Sequence, residues 1–487
     1  MANRGSSIKK NYVYQVLYQA LVSLLPFITS PYVSRILGAE GVGVYSYTYT
    51  IALYFTTLGN LGISQYGNRI IAQTRDDKEK MCRTFTSLYC FHVCVFALVI
   101  VAYIIFINFF AEHEYKELFC IQVLYLLGGL LDISWLYYGF EDFKLTVSRS
   151  AIIKLLSVFA IFFFVKSEDD LWVYILIMAL GYFLNIVVLW CFFKKYAHFA
   201  KFSIKEFTQH FKPLMLLFFS VVAYSIYSYM DKIMIGAISS TAELGYYENA
   251  WKMIEFPVAF VTSLGTVMLP RISNLQTKGD EGTIYRYIKK TLHFSVIFAS
   301  AIAFGIAAIA GDFSVVFWGK SFSRSGLLIE IMALTIILMS WNGVVRQEYL
   351  IPYKKDMQYL TAVCTGAVLN VIFNLILIPF YGAAGAAIGT VIAYFGIFSV
   401  QNAFAWRKLN ISKLLKQTVP YLLIGIAMFV VVSIYSTYHT TSIINLIIEI
   451  IIGGVTFITL SLAYAYSFKD SDFTSILDSA LTKFHIK

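Results

Sequence analysis

Charged residues are scarce in this chain: only 14% of its 487 residues are Asp, Glu, Lys or Arg, whereas 59% are hydrophobic. Soluble globular domains carry about 25% charged residues, and the mean hydropathy here is +0.71. The shortage of charge excludes an ordinary water-soluble fold and predicts that lipid is the main solvent. Abundant Tyr and Phe agree with this, since aromatic rings collect at membrane interfaces.

Metal-binding and catalytic signatures are also missing. The six cysteines lie scattered through apolar segments without the partners that a zinc site needs, and they are interpreted as buried free thiols. The sequence contains no HExxH helix, no nucleophile elbow and no ATP-binding signature. The run Trp318-Gly319-Lys320-Ser321 ends like a phosphate loop, but Ser314 stands where the first glycine is required. We therefore predict no enzyme activity, no cofactor and no metal.

Fourteen segments are apolar enough to cross a bilayer, which takes about 20 residues. We predict an all-α polytopic membrane protein with about 14 transmembrane helices, in two six-helix lobes followed by two C-terminal helices. The predicted spans are 12–36, 44–68, 85–110, 117–140, 150–165, 171–193, 213–237, 246–270, 291–311, 327–351, 359–380, 383–405, 419–437 and 443–467. The corresponding divisions are an N-terminal lobe at 1–193, a basic cytoplasmic linker at 194–212, a C-terminal lobe at 213–405, two additional helices at 406–467 and an amphipathic cytoplasmic tail at 468–487.

Basic residues give the orientation, because Lys and Arg accumulate in cytoplasmic loops. With the N-terminus inside, the inside segments hold 29 basic residues and the outside loops hold four. Both termini are therefore predicted to be cytoplasmic. The net charge of +10 is then a consequence of topology and of contact with anionic lipid, and no nucleic-acid partner is predicted.

The chain contains a weak internal repeat. The matched stretches are Ser34–Gly38 with Asp231–Gly236, Gly43–Tyr45 with Gly245–Tyr247, and Arg69 with Arg271. Both copies start on the same side of the membrane, which predicts two parallel repeats about an axis along the membrane normal. Secondary transporters are one class built this way.

Five basic residues remain inside the predicted spans: Arg35, Lys154, Lys232, Lys252 and Arg346. A charge at the bilayer centre costs at least about 2.5–3.5 kcal/mol, so such residues usually face a cavity or a partner. Arg35, Lys154 and Lys232 lie near helix ends, where a long stem could instead reach the interface. Lys252 and Arg346 are the better candidates for a binding site.

Other polar residues follow helical spacing inside the spans. Gln15, Gln19 and Ser23 recur every four residues in the first span, as do Ser220, Tyr224 and Ser228 in the seventh. The carboxylates at depth are Asp132, Asp231, Glu255, Glu348 and Glu449. Glu248, Lys252 and Glu255 share one helix face, as a structural ion pair would or as a binding network would.

Three stretches carry a family resemblance: SRILGAEGVGVYSYTYTIALYFTTLGNLGISQYGNR at 34–69, Gly139–Lys144, and NVIFNLILIPFYGAAGAA at 370–387. They resemble polysaccharide repeat-unit flippases of the multidrug/oligosaccharidyl-lipid/polysaccharide exporter superfamily. The resemblance implies two six-helix lobes around a central cavity that opens alternately to each side. It also implies a substrate, an undecaprenyl-pyrophosphate-linked oligosaccharide, which is moved from the cytoplasmic to the outer leaflet of a bacterial inner or plasma membrane.

On this reading, cations hold the pyrophosphate, because burying its charge unpaired is prohibitive. The substrate-binding candidates are Arg35, Lys232, Lys252 and Arg346 for the phosphates, with Gln15, Gln19, Tyr224 and Tyr227 for the sugar. Asp132, Glu255 and Glu348 are candidates for ion coupling by antiport. Expected partners are the lipid-linked glycan, the bilayer and, in assembly, a polysaccharide polymerase.

Three alternatives stay open. A drug/cation antiporter of the same superfamily would favour acidic cavity residues over basic ones, and a peptidoglycan-precursor flippase would work by a related mechanism. A membrane-embedded polymerase or glycosyltransferase would need a large external loop with catalytic acids, whereas the longest outside loop here has about 16 residues.

Overall fold

The structure is a computed structural model that describes the backbone of residues 2–468. It describes the side chains of residues 24–468 except 143–144, 216, 219–220, 223–224, 226–227 and 260–267. Sixteen α-helices make up this part of the chain, with no strand: α1 Ala2–Asn60, α2 Ile63–Thr74, α3 Lys78–Phe109, α4 Lys116–Leu130, α5 Ser134–Gly139, α6 Phe143–Phe164, α7 Leu171–Tyr196, α8 Ile204–Thr208, α9 Phe211–Ile238, α10 Thr241–Thr277, α11 Glu281–Trp318, α12 Ser323–Val344, α13 Asp356–Tyr381, α14 Ala383–Ala405, α15 Ile411–Thr437 and α16 Ile443–Ser467. The predicted tail falls outside the described residues from 469 onward.

The all-α, multi-pass prediction is confirmed. Within the described residues, ten helical segments have the length and apolar composition of a membrane span. Three further long helices, α1, α9 and α10, cover the first, second, seventh and eighth predicted spans. Because α1 consists of two helices merged across a break at Gly38, each predicted span overlaps a long helix. The count of fourteen crossings stays a prediction.

Helix ends follow from local chemistry. Gly38, with φ 66° and ψ −176°, separates the two halves of α1 in a conformation that L-residues rarely adopt. Asp77 is the N-cap of α3 and Ser442 is the N-cap of α16, since each side chain accepts a hydrogen bond from the backbone N–H three residues on. These breaks fall between the apolar runs, which is why the hydropathy pattern locates the helices well.

The chain forms two compact units, Met1–Gly236 and Ala237–Lys487. In the first unit, α4 packs on α1 and α7, and α2 packs on α3 and α5. Its core includes the fully buried Trp135, and Gly67 admits this ring because a Cβ there would lie 2.7 Å from it. The division falls inside α9, and the lobe boundaries derived from the sequence stay a prediction.

In the second unit, α13 packs on α14, α11 packs on α12 and α15, and α15 packs on α16. Glycines allow close approach of these helices: a Cβ on Gly366 would lie 2.5 Å from Ile397, and one on Gly425 would lie 2.3 Å from Phe304. Small residues at helix interfaces are typical of membrane bundles. A buried polar contact, from Trp341 Nε1 to Asn402 Oδ1 at 2.9 Å, joins α12 to α14.

The outward helix faces are strongly apolar. Phe109, Phe163 and Val455 are each at least 60% exposed, on α3, α6 and α16. Such surfaces suit lipid and would be a liability in water.

Most of the cysteines also lie on helix surfaces, and the expectation of buried thiols is wrong for most of them. All six are free, yet only Cys82 is buried; Cys94, Cys120, Cys191 and Cys364 are exposed on helix surfaces and Cys90 is half-buried.

The predicted linker is docked on the first unit. Phe199 packs its ring against Phe85 and Phe193, with centroids 6.2 and 5.2 Å apart, and the Ala200 N–H donates to Thr86 Oγ1 at 3.0 Å. His210 is fully buried, with its two ring nitrogens hydrogen-bonded to Tyr66 OH at 3.0 Å and to Ser87 Oγ at 2.9 Å. Segment 197–210 is therefore an integral part of this unit.

Candidate functional site

The predicted cations of the first unit lie in different settings. The Arg35 side chain is exposed, three residues before the break at Gly38, whereas Lys154 and Lys232 are half-buried. Each of the three interacts with neighbouring groups. Asp231, next to Lys232, is buried. The side chains of Gln15, Gln19, Tyr224 and Tyr227 lie outside the described residues, so their predicted role in sugar binding stays a prediction.

Asp132 lies at a helix break rather than within a continuous span. Its Oδ1 accepts the Ser134 backbone N–H at 2.8 Å, where α4 ends and the short α5 begins. Its carbonyl accepts Trp135 Nε1 at 3.1 Å. These bonds satisfy backbone and indole donors that the break would otherwise leave open. Asp132 therefore has a structural function, and its ion-coupling function stays a prediction.

A tyrosine cluster joins α1, α4 and α7 in the first unit. Tyr45 stacks on Tyr49 at 5.5 Å between ring centroids and meets Tyr174 edge-on at 4.8 Å. Tyr49 meets Tyr125 at 5.0 Å, and Tyr125 meets Tyr182 at 4.9 Å. Sequence reasoning missed this cluster. The i, i+4 spacing of Tyr45 and Tyr49 was the available signal, but ordinary core packing gives the same spacing.

The repeat has a structural counterpart in a pair of rings. Tyr45 and Tyr49 stack with 10° between their planes, and the residues 202 positions later, Tyr247 and Trp251, stack with 4° between theirs at 6.4 Å. The two pairs lie at matching places on α1 and α10. The Tyr247 hydroxyl also contacts Thr390 Oγ1 at 3.1 Å. The repeat is therefore visible in side-chain packing as well as in the sequence.

Lys252 lies in a polar pocket of α10 in the second unit. Its Nζ is 3.6 Å from Glu248 Oε1 and 3.4 Å from Asn249 Oδ1. Asn249 is fully buried, whereas the Lys252 side chain is 31% exposed. The predicted i, i+4 pair thus forms, and the Lys252 side chain stays partly accessible. Glu255, one turn further on, is exposed and also interacts with its surroundings.

Arg346 lies in a π-helical turn, Val345–Leu350, that continues α12. Its guanidinium is half-buried over the Tyr359 ring, 5.8 Å from the centroid, with a long contact of 3.5 Å to the Tyr359 hydroxyl. Its Nε is buried and has no hydrogen-bond partner. No carboxylate pairs with it within the described part of the chain. Its charge is therefore available to an anion.

Glu348 lies in the same π-helical turn and is fully buried. It is surrounded by an apolar cluster that includes Val345 and Tyr349, and no donor in normal geometry reaches either carboxylate oxygen. Among the described residues, the Thr291 hydroxyl interacts with it. Burying an unpaired negative charge is costly, so this carboxyl must be neutral or must receive a cation. π-helical turns often occur at functional sites.

A helical membrane protein that keeps a free guanidinium and buried carboxyls inside its spans has the features of a transporter. The family model described as polysaccharide biosynthesis protein matches residues 8–276, more than half of the chain, so the chain belongs to this family. This match agrees with the resemblance that the three sequence stretches carry.

Curated relatives agree with the family. A Shigella dysenteriae protein named "Putative O-antigen transporter" is 25% identical over 386 residues, which cover 78% of this chain and 96% of the relative. The Haloferax volcanii protein named "Probable low-salt glycan biosynthesis flippase Agl15" is 26% identical over 243 residues, about half of each chain.

Solved structures show the fold. The lipid II flippase MurJ in an inward closed conformation has a TM-score of 0.76 at 16% identity, over 93% of this chain and 99% of that one. An inward-facing multidrug resistance MATE transporter of the MOP superfamily has a TM-score of 0.61 at 15% identity, over 81% of this chain and 95% of that one. The chain therefore has the fold of this superfamily.

Proposed function

We propose that the protein is a flippase, and not an enzyme, that moves undecaprenyl-pyrophosphate-linked oligosaccharide repeat units from the cytoplasmic to the outer leaflet. It would work by alternating access in a bacterial inner or plasma membrane, for assembly of a capsule, exopolysaccharide or O-antigen type polymer. The observation that carries the proposal is the unpaired, half-buried guanidinium of Arg346. Family membership and the names of the relatives support the glycan.

The chemistry of a pyrophosphate fits these cations. Arg346 offers planar N–H groups that bind phosphate oxygens two at a time, and Lys252 adds a point charge. Arg35 and Lys232 are the cationic candidates for phosphate binding in the first unit. Gln15, Gln19, Tyr224 and Tyr227 would bind sugar hydroxyls, and the lipid tail would stay in the bilayer.

Coupling to a proton or sodium gradient is the second part of the proposal. Its support is Glu348, a fully buried carboxyl whose oxygens receive no hydrogen bond of normal geometry, in the same π-helical turn as Arg346. A change in the occupancy of this carboxyl alters the charge next to the proposed phosphate site, which links ion and substrate physically. Asp132 and Glu255 are the further coupling candidates.

The decisive experiment is deletion of the gene in its own host, followed by analysis of lipid-linked intermediates. We expect loss of surface polymer and accumulation of a pyrophosphate-linked oligosaccharide, both reversed by a plasmid copy. Accumulation of a peptidoglycan precursor would instead favour the alternative substrate. Normal polymer and no accumulated intermediate would refute the flippase function, and flipping that is undiminished in vesicles without an ion gradient would refute the coupling.

A further inference from the structure

A second buried carboxyl lies far along the chain from the proposed substrate residues, in the two additional C-terminal helices. Glu449 is fully buried on the face of α16 that packs inward together with Leu446 and Gly453. On this face, Leu446 shares an apolar cluster with Met428 and Val432 of α15, and Gly453 lies next to the same two residues. Neither carboxylate oxygen receives a hydrogen bond. A charged carboxylate in this position would be unstable without a positive partner.

The group that Glu449 faces is another carboxyl. α16 packs on both α11 and α15, and there Glu449 interacts with the Asp312 carboxyl of α11 and with the Ser436 hydroxyl of α15. Ser436 Oγ donates to Asp312 Oδ2 at 3.3 Å, and Thr441 Oγ1 donates to Asp312 Oδ1 at 2.5 Å. Asp312 thus has two hydroxyl donors in normal geometry, whereas the oxygens of Glu449 have none, although the Ser436 hydroxyl interacts with it. Two carboxyls therefore face each other with few donors between them.

No basic side chain neutralises the pair. Within the described residues, no Lys, Arg or His forms an ion pair with either acid. The nearby histidines have other contacts: His439 Nδ1 bonds to the Tyr435 carbonyl, and His293 packs on Tyr421. The Tyr435 hydroxyl contacts Asn445 Oδ1 at 3.5 Å. The missing positive charge must come from outside the protein.

We propose that Asp312 and Glu449 form a binding site for one small monovalent cation, a proton shared between the carboxyls or Na⁺. Two close carboxyls that share one proton are the general solution to like charges in contact. Two carboxylates and two hydroxyl oxygens are also hard ligands that suit Na⁺. In the described part of the chain no third His, Cys or acid joins them, a donor set too small for Ca²⁺.

The site has a route to solvent. Thr441 is exposed in the segment between α15 and α16, so the chain Thr441–Asp312–Glu449 leads from the surface to the buried acid. The bias in basic residues predicts that this end of the helices faces outward. The proposal does not depend on the flippase function, because the site can be occupied in the resting protein.

The test uses the purified full chain in detergent and measures its thermal unfolding midpoint. In one arm Na⁺ replaces choline at constant ionic strength, and in the other the pH is lowered in Na⁺-free buffer. Stabilisation of about 2–4 °C by Na⁺ would identify sodium, and the same shift on acidification alone, taken as the difference from Glu449→Gln so that His210 cancels, would identify a proton. Each shift should be lost in Glu449→Gln and in Asp312→Asn.

Glu117→Gln is the matched control, since it removes an exposed carboxyl at the start of α4, and it should keep the wild-type shift. A direct measurement guards against a misfolded variant: the infrared carbonyl band of a protonated carboxyl, or binding of radioactive Na⁺, in the wild-type protein. The proposal would be overturned if the wild type showed neither response, or if both variants responded like the wild type.

Discussion

The two units bury different polar groups. In the first unit the buried polar side chains that the structure describes are mainly hydroxyls and imidazoles, such as Thr48, Ser87 and His210, with Asp231 as the buried acid. In the second unit they include two fully buried carboxyls, Glu348 and Glu449, and several amides. Yet both units have the same stacked ring pair at the start of the repeat. The two repeats thus share this ring packing and differ in the ionisable groups that they bury.

The difference predicts that charge substitutions in the second unit impair transport most. Arg346→Ala should lower surface polymer by at least about tenfold, because a hydrogen bond to a charged group contributes about 1.5–3 kcal/mol. Polymer would be measured in a deletion host that carries the variant, with membrane insertion checked by blotting. Arg346→Lys should keep part of the activity, and wild-type polymer with Arg346→Ala would remove this residue from the substrate site.

Substitution of Lys252 should impair export less than substitution of Arg346, and a double variant can distinguish substrate binding from pairing with Glu248. Lys252→Met should reduce export, because it removes a point charge from the proposed phosphate site. The double variant Glu248→Gln with Lys252→Met removes both partners of the 3.6 Å pair. If Lys252 binds substrate, the double variant should be as defective as the single one in the same export assay. Recovery of export in the double variant would show that the lysine only neutralises Glu248.

The first unit should respond to pH through stability rather than transport. Burial lowers the pKa of His210 to about 4, whereas an unfolded histidine titrates near 6.5. Between these values the unfolded chain binds more protons, so the free energy of unfolding falls as the pH falls. We expect His210 to lower the midpoint by a few degrees between pH ~7.5 and ~5, and this is measured in the Glu449→Gln background, where the carboxyl pair of the second unit does not oppose it.

His210→Gln should show a lower midpoint at neutral pH and a weaker dependence on pH. The control His113→Gln changes an exposed ring and should leave both unchanged. An identical pH dependence in His210→Gln and wild type would contradict the assignment. The pH dependence from His210 has the opposite sign to that expected of a proton held by Asp312 and Glu449. The variants His210→Gln and Glu449→Gln therefore separate the contributions of the two units.

Much of the fold could be predicted from the sequence, because runs of about 20 apolar residues leave few alternatives in lipid. Gly38 and Asp77 mark helix ends by local chemistry alone. The pair of Glu248 and Lys252 was also predictable, since i, i+4 spacing fixes it on one helix face.

The remaining features depend on contacts between distant segments. The π-helical turn at Val345–Leu350 has no local signature, and it decides the surroundings of both Arg346 and Glu348. Glu449 could be recognised as a carboxyl at depth, but its partner Asp312 is more than 130 positions earlier in the chain. The linker 194–212 was interpreted from its lysines, whereas Phe199 and His210 decide how it packs.

The docked segment 197–210 has a consequence for biogenesis. A ribosome adds about 5–20 residues per second, so the residues of Met1–Gly236 are synthesised before those of α10. The first unit can therefore complete its packing, including the contacts of Phe199 and His210, while the rest of the chain is still being synthesised. Translation of the second unit then starts from an anchored position, which reduces the opportunity for its helices to pair in the wrong order.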